Sequence, residues 1–163
     1  MIVVALDPGR DAGVALFVGG RLVAARLLDG RVPAGGVGGI GDLGLLDGDA
    51  EVVVELPVIY TGGRSRAPGQ DLVVLAYRAG RLVEAVLAAL GPRTVKVSEI
   101  APAAWKAQVP QDVLEPRIRG RLDADEAALI VDAAHCAASK AHNVLDAAGI
   151  GLWRVGRMGR GGT

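Results

Sequence analysis

The sequence predicts an α/β fold in which one mixed β-sheet is flanked by helices in a single domain, residues 1–163. Three observations predict this fold. Apolar runs typical of strands dominate the first 28 residues. After residue 70 the apolar residues instead recur at the three- and four-residue spacing of helices. A chain of 163 residues, of which 51% are hydrophobic, is also long and apolar enough to bury one core.

The first part of the chain predicts three strands, at residues 2–6, 13–18 and 21–27. The first of them is continuously apolar, as is typical of a strand in the centre of a sheet. Gly19 and Gly20 separate the second run from the third, and glycine tolerates the positive φ angles of tight hairpin turns. A hairpin is therefore expected directly after Asp7.

The rest of the chain predicts two more strands and several helices. A capping-box pattern, Asp123 followed by Glu126, marks the start of one helix, and Gly91-Pro92 ends the longest one. Residues 156–163 are expected to form a frayed tail. The predicted elements are a weak helix at 41–46, strands at 52–56 and 94–97, and helices at 70–90, 103–108, 123–136 and from residue 139 or 140 to 153.

Three carboxylates interrupt apolar or small-residue segments. Asp7 ends the first strand, Glu55 stands where a buried strand would carry Val or Ile, and Asp146 lies in a helix rich in Ala and Gly. Small side chains allow that helix to lie close on a sheet, so it can bring Asp146 to the ends of neighbouring strands. A buried carboxylate is costly unless a cation or a protein donor meets it. One metal site therefore explains all three residues.

Each carboxylate also has a simpler interpretation. Asp7 can cap the turn that follows it, Glu55 can form a salt bridge, and Asp146 can face solvent. If the three meet, their hard oxygens suit Mg²⁺ or Mn²⁺. Two such ions ~3.5–4 Å apart can activate a water and stabilise the leaving oxygen of a phosphodiester. The chemistry favoured is phosphodiester hydrolysis.

Composition sets further limits. Eighteen basic and eighteen acidic residues give zero net charge, which argues weakly against a protein that simply coats phosphates. Carboxylates gathered at a metal site would, however, cancel arginines elsewhere.

The single cysteine excludes a disulfide framework. Asp7 interrupts the first apolar run far short of the ~20 residues of a membrane span, and no basic segment precedes it, so a cytoplasmic protein without a membrane partner is expected.

The carboxylate motifs together resemble those of the RuvC family of Holliday-junction resolvases, which are RNase H-like nucleases, and the resemblance spans nearly the whole chain. It implies an RNase H-like mixed sheet and a Mg²⁺- or Mn²⁺-dependent endonuclease. It also implies a homodimer that binds a four-way DNA junction and places two symmetric nicks with 5′-phosphate ends. The matching features are Asp7-Pro8-Gly9, Glu55, Asp146-Ala147, the loop with Ser65 before Gln70, and Pro102 followed by Trp105-Lys106.

The sequence departs from the family at one position. Members usually carry a fourth ligand, Asp or sometimes His, three residues before the final Asp. Here that position is Asn143, and His142 precedes it. Either residue can act as a weaker ligand or can position the attacking water, since Asn offers a carbonyl oxygen and His a ring nitrogen. A second interpretation is that both residues serve only to begin the helix.

The candidate residues for DNA contact are those of one loop and several basic residues elsewhere in the chain. An aromatic ring in the loop can stack on an exposed base at the junction centre, and arginines can meet phosphates, although a solvated loop would look the same. The apolar stripe of residues 70–90 leaves room for a dimer seam. The loop residues are Tyr60, Arg64, Ser65 and Arg66, and the other basic residues are Lys106, Arg117, Arg119, Arg121, Arg154, Arg157 and Arg160.

Three alternative functions stay open at this point. A related RNase H-like nuclease could act on RNA–DNA hybrids, flaps or structured RNA, and symmetric cuts by a dimer would distinguish the junction resolvase from it. An actin-like or sugar-kinase-type nucleotide-binding half-domain also places an Asp and a Gly-rich hairpin after its first strand, but 163 residues leave no room for its second domain. The three retained carboxylates argue against a catalytically dead DNA-binding module.

Overall fold

The structure, a computed structural model, describes residues 1–29, 46–56, 69–107, 109–134 and 138–159. Its elements in chain order are β1 (Ile2–Asp7), β2 (Asp11–Val18), β3 (Arg21–Asp29), β4 (Ala50–Glu55), α1 (Gly69–Leu90), β5 (Val95–Ile100), α2 (Pro102–Trp105), α3 (Gln111–Arg119), α4 (Ala124–Ala134), a 3₁₀ turn (Ala138–Lys140) and α5 (Ala141–Arg154).

The five strands form one mixed sheet in the order β3-β2-β1-β4-β5. β2 runs antiparallel to both β1 and β3, whereas β4 runs parallel to β1 and β5 runs parallel to β4. The mixed sheet flanked by helices that the sequence predicts is therefore present. Since Leu6 of β1 pairs with Val54 of β4, Asp7 and Glu55 emerge side by side at the same edge of the sheet.

The hairpin between β2 and β3 is the one predicted. Val18 pairs with Arg21 across the turn, and the two residues between them have positive φ angles, 59° at Gly19 and 86° at Gly20. Both central residues of this turn need that conformation, which only glycine adopts at low cost. Two consecutive glycines therefore fix the register of the hairpin.

Hydrophobic cores cover both faces of the sheet. On one face α5 and α4 pack against the strands, with Phe17 and Ile130 in the core. On the other face α1 packs its Leu82 and Val86 against strand residues that include Val4. The continuously apolar β1 is central, as predicted, because both of its faces are covered by helices.

Glycines allow α5 to lie very close to the sheet. A Cβ at Gly13 of β2 would lie 1.9 Å from the carbonyl oxygen of Asn143. A Cβ at Gly151 would lie 2.0 Å from the ring of Phe17, and one at Gly149 would lie 2.5 Å from the ring of Trp105. The prediction that small residues let this helix approach the sheet is confirmed, and Gly13 contributes from the sheet side.

The largest differences from the predicted elements are an additional helix and a longer edge strand. Helix α3 was not predicted, because Pro116 and several charged residues obscure its period and only Leu114 and Ile118 are buried. Strand β5 extends to Ile100 rather than residue 97, since as an edge strand it carries polar residues that hide its apolar pattern. The predicted helix at 41–46, apart from Leu46, and the last residues of the predicted helix at 123–136 lie outside the described residues.

The predicted frayed tail is wrong at its start. Met158 is only 3% exposed and belongs to the core. Arg157 forms an ion pair of 2.5 Å with Glu126 and donates a hydrogen bond to the carbonyl oxygen of Gly20. A buried carboxylate and a core methionine therefore hold this segment in place. Residues 160–163 lie outside the described part of the chain.

Glu126 makes the stability of the fold depend on pH. Hydrogen bonds from Arg157 and from the backbone amides of Asp123 and Leu22 lower the pKa of this buried carboxyl from 4.5 to about 2. The ionised form therefore stabilises the fold above pH 4.5, and that contribution, about 3 kcal/mol, is lost as the pH falls towards 2. Glu126→Gln should lower the free energy of unfolding at pH 7 by about 3 kcal/mol, measured by urea denaturation.

Glu115→Gln is the matched control for Glu126→Gln. Its carboxylate pairs with Arg119 at 2.8 Å on the exposed surface of α3, so its loss should cost less than about 1 kcal/mol. The difference between wild type and Glu126→Gln should also shrink as the pH falls below 4.5. Equal stability of the two proteins at pH 7 would contradict the proposed role of Glu126.

Among the helices that the structure describes, none combines the length and the apolar character needed to cross a membrane.

Candidate active site

The three predicted carboxylates converge at one edge of the sheet. Asp7 is the last residue of β1, Glu55 is the last residue of β4, and Asp146 lies on α5, which packs against both strands. Asp146 is only 7% exposed. This burial excludes the alternative that Asp146 faces solvent.

The ammonium of Lys106 links two of these carboxylates. Its Nζ lies 3.3 Å from Oε2 of Glu55 and 3.6 Å from Oδ2 of Asp146. Lys106 directly follows α2, a short helix that begins with Pro102 as predicted. The salt bridge considered for Glu55 is therefore present, and the same lysine also meets Asp146.

The pKa shifts at this edge reflect the crowding of like charges. Burial raises the pKa of Asp7 well above its ordinary value, the charges of Asp146 and Glu55 raise it further, and Lys106 partly opposes them. Burial alone would lower the pKa of Lys106, but the three carboxylates outweigh it and raise that pKa. One ammonium thus does not fully compensate three carboxylates, and further positive charge would be stabilised here.

Two neutral donors also contact the carboxylates. The indole Nε1 of Trp105 donates a hydrogen bond of 2.5 Å to Oε2 of Glu55. The amide Nε2 of Gln111, the first residue of α3, donates a hydrogen bond of 3.1 Å to Oδ1 of Asp146. Both donors come from the segment between β5 and the end of α3. Because α3 was not predicted, nothing in the sequence assigned Gln111 to the site.

The two candidates for the fourth site residue differ in their contacts. The side-chain amide of Asn143 donates a hydrogen bond of 2.8 Å to the carbonyl oxygen of Asp11 on β2, so it holds the start of α5 on the sheet. His142 is exposed. Neither residue takes part in the hydrogen bonds and ion pairs that join Glu55, Asp146 and Lys106. A role for either of them at a metal stays a prediction.

The chemistry of these side chains is the kind that a hard divalent cation needs, since carboxylate oxygens are the ligands that Mg²⁺ and Mn²⁺ prefer. Glu55 and Asp146 lie within ion-pair distance of Lys106 Nζ, and the charge of Asp7 acts on the same lysine. In the described part of the chain, no three His, Cys, Asp or Glu side chains are drawn together tightly enough to form a metal-binding group. Lys106, which bridges Glu55 and Asp146, supplies the positive charge in this arrangement.

Most of the predicted DNA contacts either lie outside the described residues or are on the surface. Tyr60, Arg64, Ser65, Arg66 and Arg160 lie outside the described residues. Arg117 and Arg121 are exposed, and Arg119 forms its ion pair with Glu115.

Arg154 and Arg157, which the sequence analysis places along a DNA path, pair with buried carboxylates, and their contact with DNA stays a prediction. Arg154 forms an ion pair of 2.6 Å with Glu51, and Arg157 forms one of 2.5 Å with Glu126. Both carboxylates are almost fully buried, so these arginines neutralise internal charges. Glu51 escaped the sequence analysis because the predicted strand begins one residue after it.

The fold and the site together define an α/β protein with three carboxylates and a lysine at the carboxyl edge of its central strands. Solved structures that are similar to the chain include two of RuvC. The first is "T. thermophilus RuvC in complex with Holliday junction substrate", at 21% sequence identity, with 96% of this chain and 97% of that chain covered and a TM-score of 0.44. The second is "Thermus thermophilus RuvC structure", at 20% identity, with 96% and 98% covered and a TM-score of 0.45. No family model and no curated protein matches the sequence.

Proposed function

We propose that this protein is a Mg²⁺- or Mn²⁺-dependent endonuclease that resolves four-way DNA junctions by paired, symmetric nicks leaving 5′-phosphate ends. The observation that carries the proposal is the convergence of Asp7, Glu55 and Asp146 at one edge of the sheet, where, among the residues that the structure describes, Lys106 opposes their charge. Keeping three carboxylates together costs stability unless a cation meets them. Such a cluster is expected where a divalent cation is needed for function.

Asp7, Glu55 and Asp146 would bind the metal, either as one ion or as a pair of ions. When bound, Mg²⁺ or Mn²⁺ supplies an activated water and stabilises the leaving oxygen of the phosphodiester. Lys106 keeps a positive charge among the carboxylates, and its raised pKa keeps it protonated at neutral pH. Its ammonium is then available to a phosphate oxygen as well as to Glu55.

A nucleic acid is the class of substrate that the exposed arginines near the site favour. Arg117 and Arg121 are exposed on α3 and just after it, and α3 carries Gln111, which contacts Asp146. Cations on this side of the site can meet the phosphates that flank the cleaved bond, and binding should weaken steeply with added salt. The specific preference for a four-way junction comes from the resemblance of the carboxylate motifs to the RuvC family.

A homodimer is part of the same proposal. The first half of α1 exposes large apolar side chains, with Val73 at 70%, Val74 at 41% and Tyr77 at 67% exposure. A symmetric interface through this part of α1 would bury them. Two sites related by a two-fold axis would place one nick on each of two opposite strands, which a monomer cannot do in a coordinated way.

The proposal is tested with a synthetic four-way junction labelled in turn on each strand. The protein is incubated with it in Mg²⁺, in Mn²⁺ and in chelator, beside linear duplex, an RNA–DNA hybrid and a flap of the same sequence. We expect metal-dependent nicks at symmetric positions on two opposite strands of the junction and little cutting of the other substrates.

Two other results would overturn part or all of the proposal. Cutting of hybrids or flaps with the junction intact would keep the nuclease and remove the assignment of substrate. Cleavage that is unchanged in chelator would remove the metal from the mechanism.

A further inference from the structure

A feature shared by Glu55 and Asp146 goes beyond their convergence. In each carboxylate, one oxygen accepts a hydrogen bond from an uncharged N–H donor. Trp105 Nε1 donates to Oε2 of Glu55 at 2.5 Å, and Gln111 Nε2 donates to Oδ1 of Asp146 at 3.1 Å. A carboxylate with one oxygen held in this way cannot rotate freely about its last bond.

Both carboxylates also meet the same ammonium. Lys106 Nζ donates a hydrogen bond of 3.3 Å to Oε1 of Glu55, lies 3.3 Å from Oε2 of the same residue and lies 3.6 Å from Oδ2 of Asp146. The neutral donors and the lysine together limit how far each carboxylate can turn, so both carboxylates present oxygens to one region of the site.

Packing fixes the position of the indole. Trp105 is only 4% exposed, and its ring lies so close to Gly149 of α5 that a Cβ there would be 2.5 Å away. Gly149 is three residues after Asp146 on the same helix. Lys106 Nζ also lies 4.9 Å from the centroid of the Trp105 ring, within the range of a cation–π interaction. The donor to Glu55 is therefore held by the helix that carries Asp146.

We propose that Trp105 and Gln111 are positioning residues, whose N–H groups orient Glu55 and Asp146 for binding a divalent cation. The inference rests on the proposed function, because it takes these carboxylates to be metal ligands. Groups that orient metal ligands typically change metal affinity 10–100-fold when they are removed. Trp105 belongs to a motif that the family resemblance includes, but neither its N–H nor the amide of Gln111 was assigned to a carboxylate from the sequence.

The test measures Mn²⁺ affinity by titration calorimetry on the protein without DNA, so its readout does not depend on cleavage. Trp105→Phe removes the indole N–H and keeps an aromatic ring. Gln111→Met removes the amide donor and keeps a side chain of similar length. We expect each change to raise the Kd for Mn²⁺ about 10-fold.

The chain offers a matched control for each variant. Trp153→Phe removes the other tryptophan, whose buried Nε1 has no hydrogen-bond partner in the part of the chain that the structure describes. Val113→Met changes an exposed residue of α3, 54% exposed, two positions from Gln111. Neither control should change the Kd for Mn²⁺.

Fluorescence gives a second, independent readout. In Trp153→Phe the only indole left is that of Trp105, and its emission should change on titration with Mn²⁺ because its N–H partner, Glu55, becomes a metal ligand. Gln111 is exposed, so Gln111→Met should fold normally. It keeps the test decisive even if Trp105→Phe loses structure along with its packing on Gly149.

The outcomes separate this inference from the proposed function. If wild type binds Mn²⁺ and both positioning variants bind it with wild-type affinity, the inference is wrong and the proposed function stands. If wild type binds no Mn²⁺, the metal site itself is wrong and the inference fails with it. Weaker binding in the variants, with the controls unchanged, supports both.

Discussion

Replacing Asp7 with asparagine should abolish junction cleavage while leaving the protein folded and able to bind the junction. Asparagine keeps the size of the side chain but removes one of the three negative charges at the site. Loss of a metal ligand removes several kcal/mol of transition-state stabilisation, so we expect a fall in rate of at least about 10³-fold. Cleavage is measured with metal, and binding is measured by gel shift in chelator.

We also predict the thermal stability of the Asp7→Asn variant. Burial and the charges of Asp146 and Glu55 raise the pKa of Asp7, so its ionised form costs free energy in the folded protein at neutral pH. Asp7→Asn removes that cost and should unfold at a temperature no lower than wild type. Asp132→Asn, an exposed acid on α4, serves as the control and should cut normally. An Asp7→Asn protein that cleaves like wild type would rule out the site.

Replacing Gly13 with alanine should damage both the fold and the reaction. Gly13 pairs with Asp7 across β1 and β2, and an added Cβ would lie 1.9 Å from the carbonyl oxygen of Asn143. Backbone cannot yield as a flexible side chain does, so the start of α5 must move away from the sheet. We expect a loss of about 3 kcal/mol in unfolding free energy, at the upper end of overpacking costs.

The displacement would also separate Asp146 from Asp7. A misplacement of about 1 Å at a reacting site can cost on the order of 10²-fold in rate, so cleavage should fall even where Gly13→Ala stays folded. Gly80→Ala is the control, since the added Cβ on α1 would meet no atom within 4 Å among the described residues, apart from its chain neighbours and its own helix backbone. That change should stabilise the helix by up to about 1 kcal/mol. Unfolding and cleavage of Gly13→Ala at wild-type levels would show that α5 is not fixed here.

The sheet and its main helices could be predicted because their patterns are local. β1 is continuously apolar, and Gly19-Gly20 allows the positive φ angles of a two-residue hairpin turn. The capping box of Asp123 and Glu126 forms as expected, with hydrogen bonds of 2.9 and 3.0 Å. α3 escaped prediction because its two buried residues, Leu114 and Ile118, are too few to reveal a period among prolines and charges.

The carboxylates of the site could be predicted because a charge in an apolar strand or a tightly packed helix is anomalous in the sequence itself. Their partners could not, because the contacts of Lys106, Trp105 and Gln111 depend on how α2 and α3 fold back over the sheet edge. The sequence suggests that Lys106 meets DNA, while the structure brings it to Glu55 and Asp146. Asn143 is ambiguous in the sequence, and its amide hydrogen bond to Asp11 appears only in three dimensions.

The link between Arg157 and Glu126 has a consequence for synthesis of the chain. Glu126 accepts a hydrogen bond from the amide of Leu22, more than a hundred residues earlier, and its ion-pair partner follows it by 31 positions. While the ribosome has delivered α4 but not yet residue 157, docking α4 on the hairpin would bury a carboxylate without its guanidinium. That step is unfavourable, so we expect native docking of α4 to follow the emergence from the exit tunnel of Arg157, three positions after the end of α5.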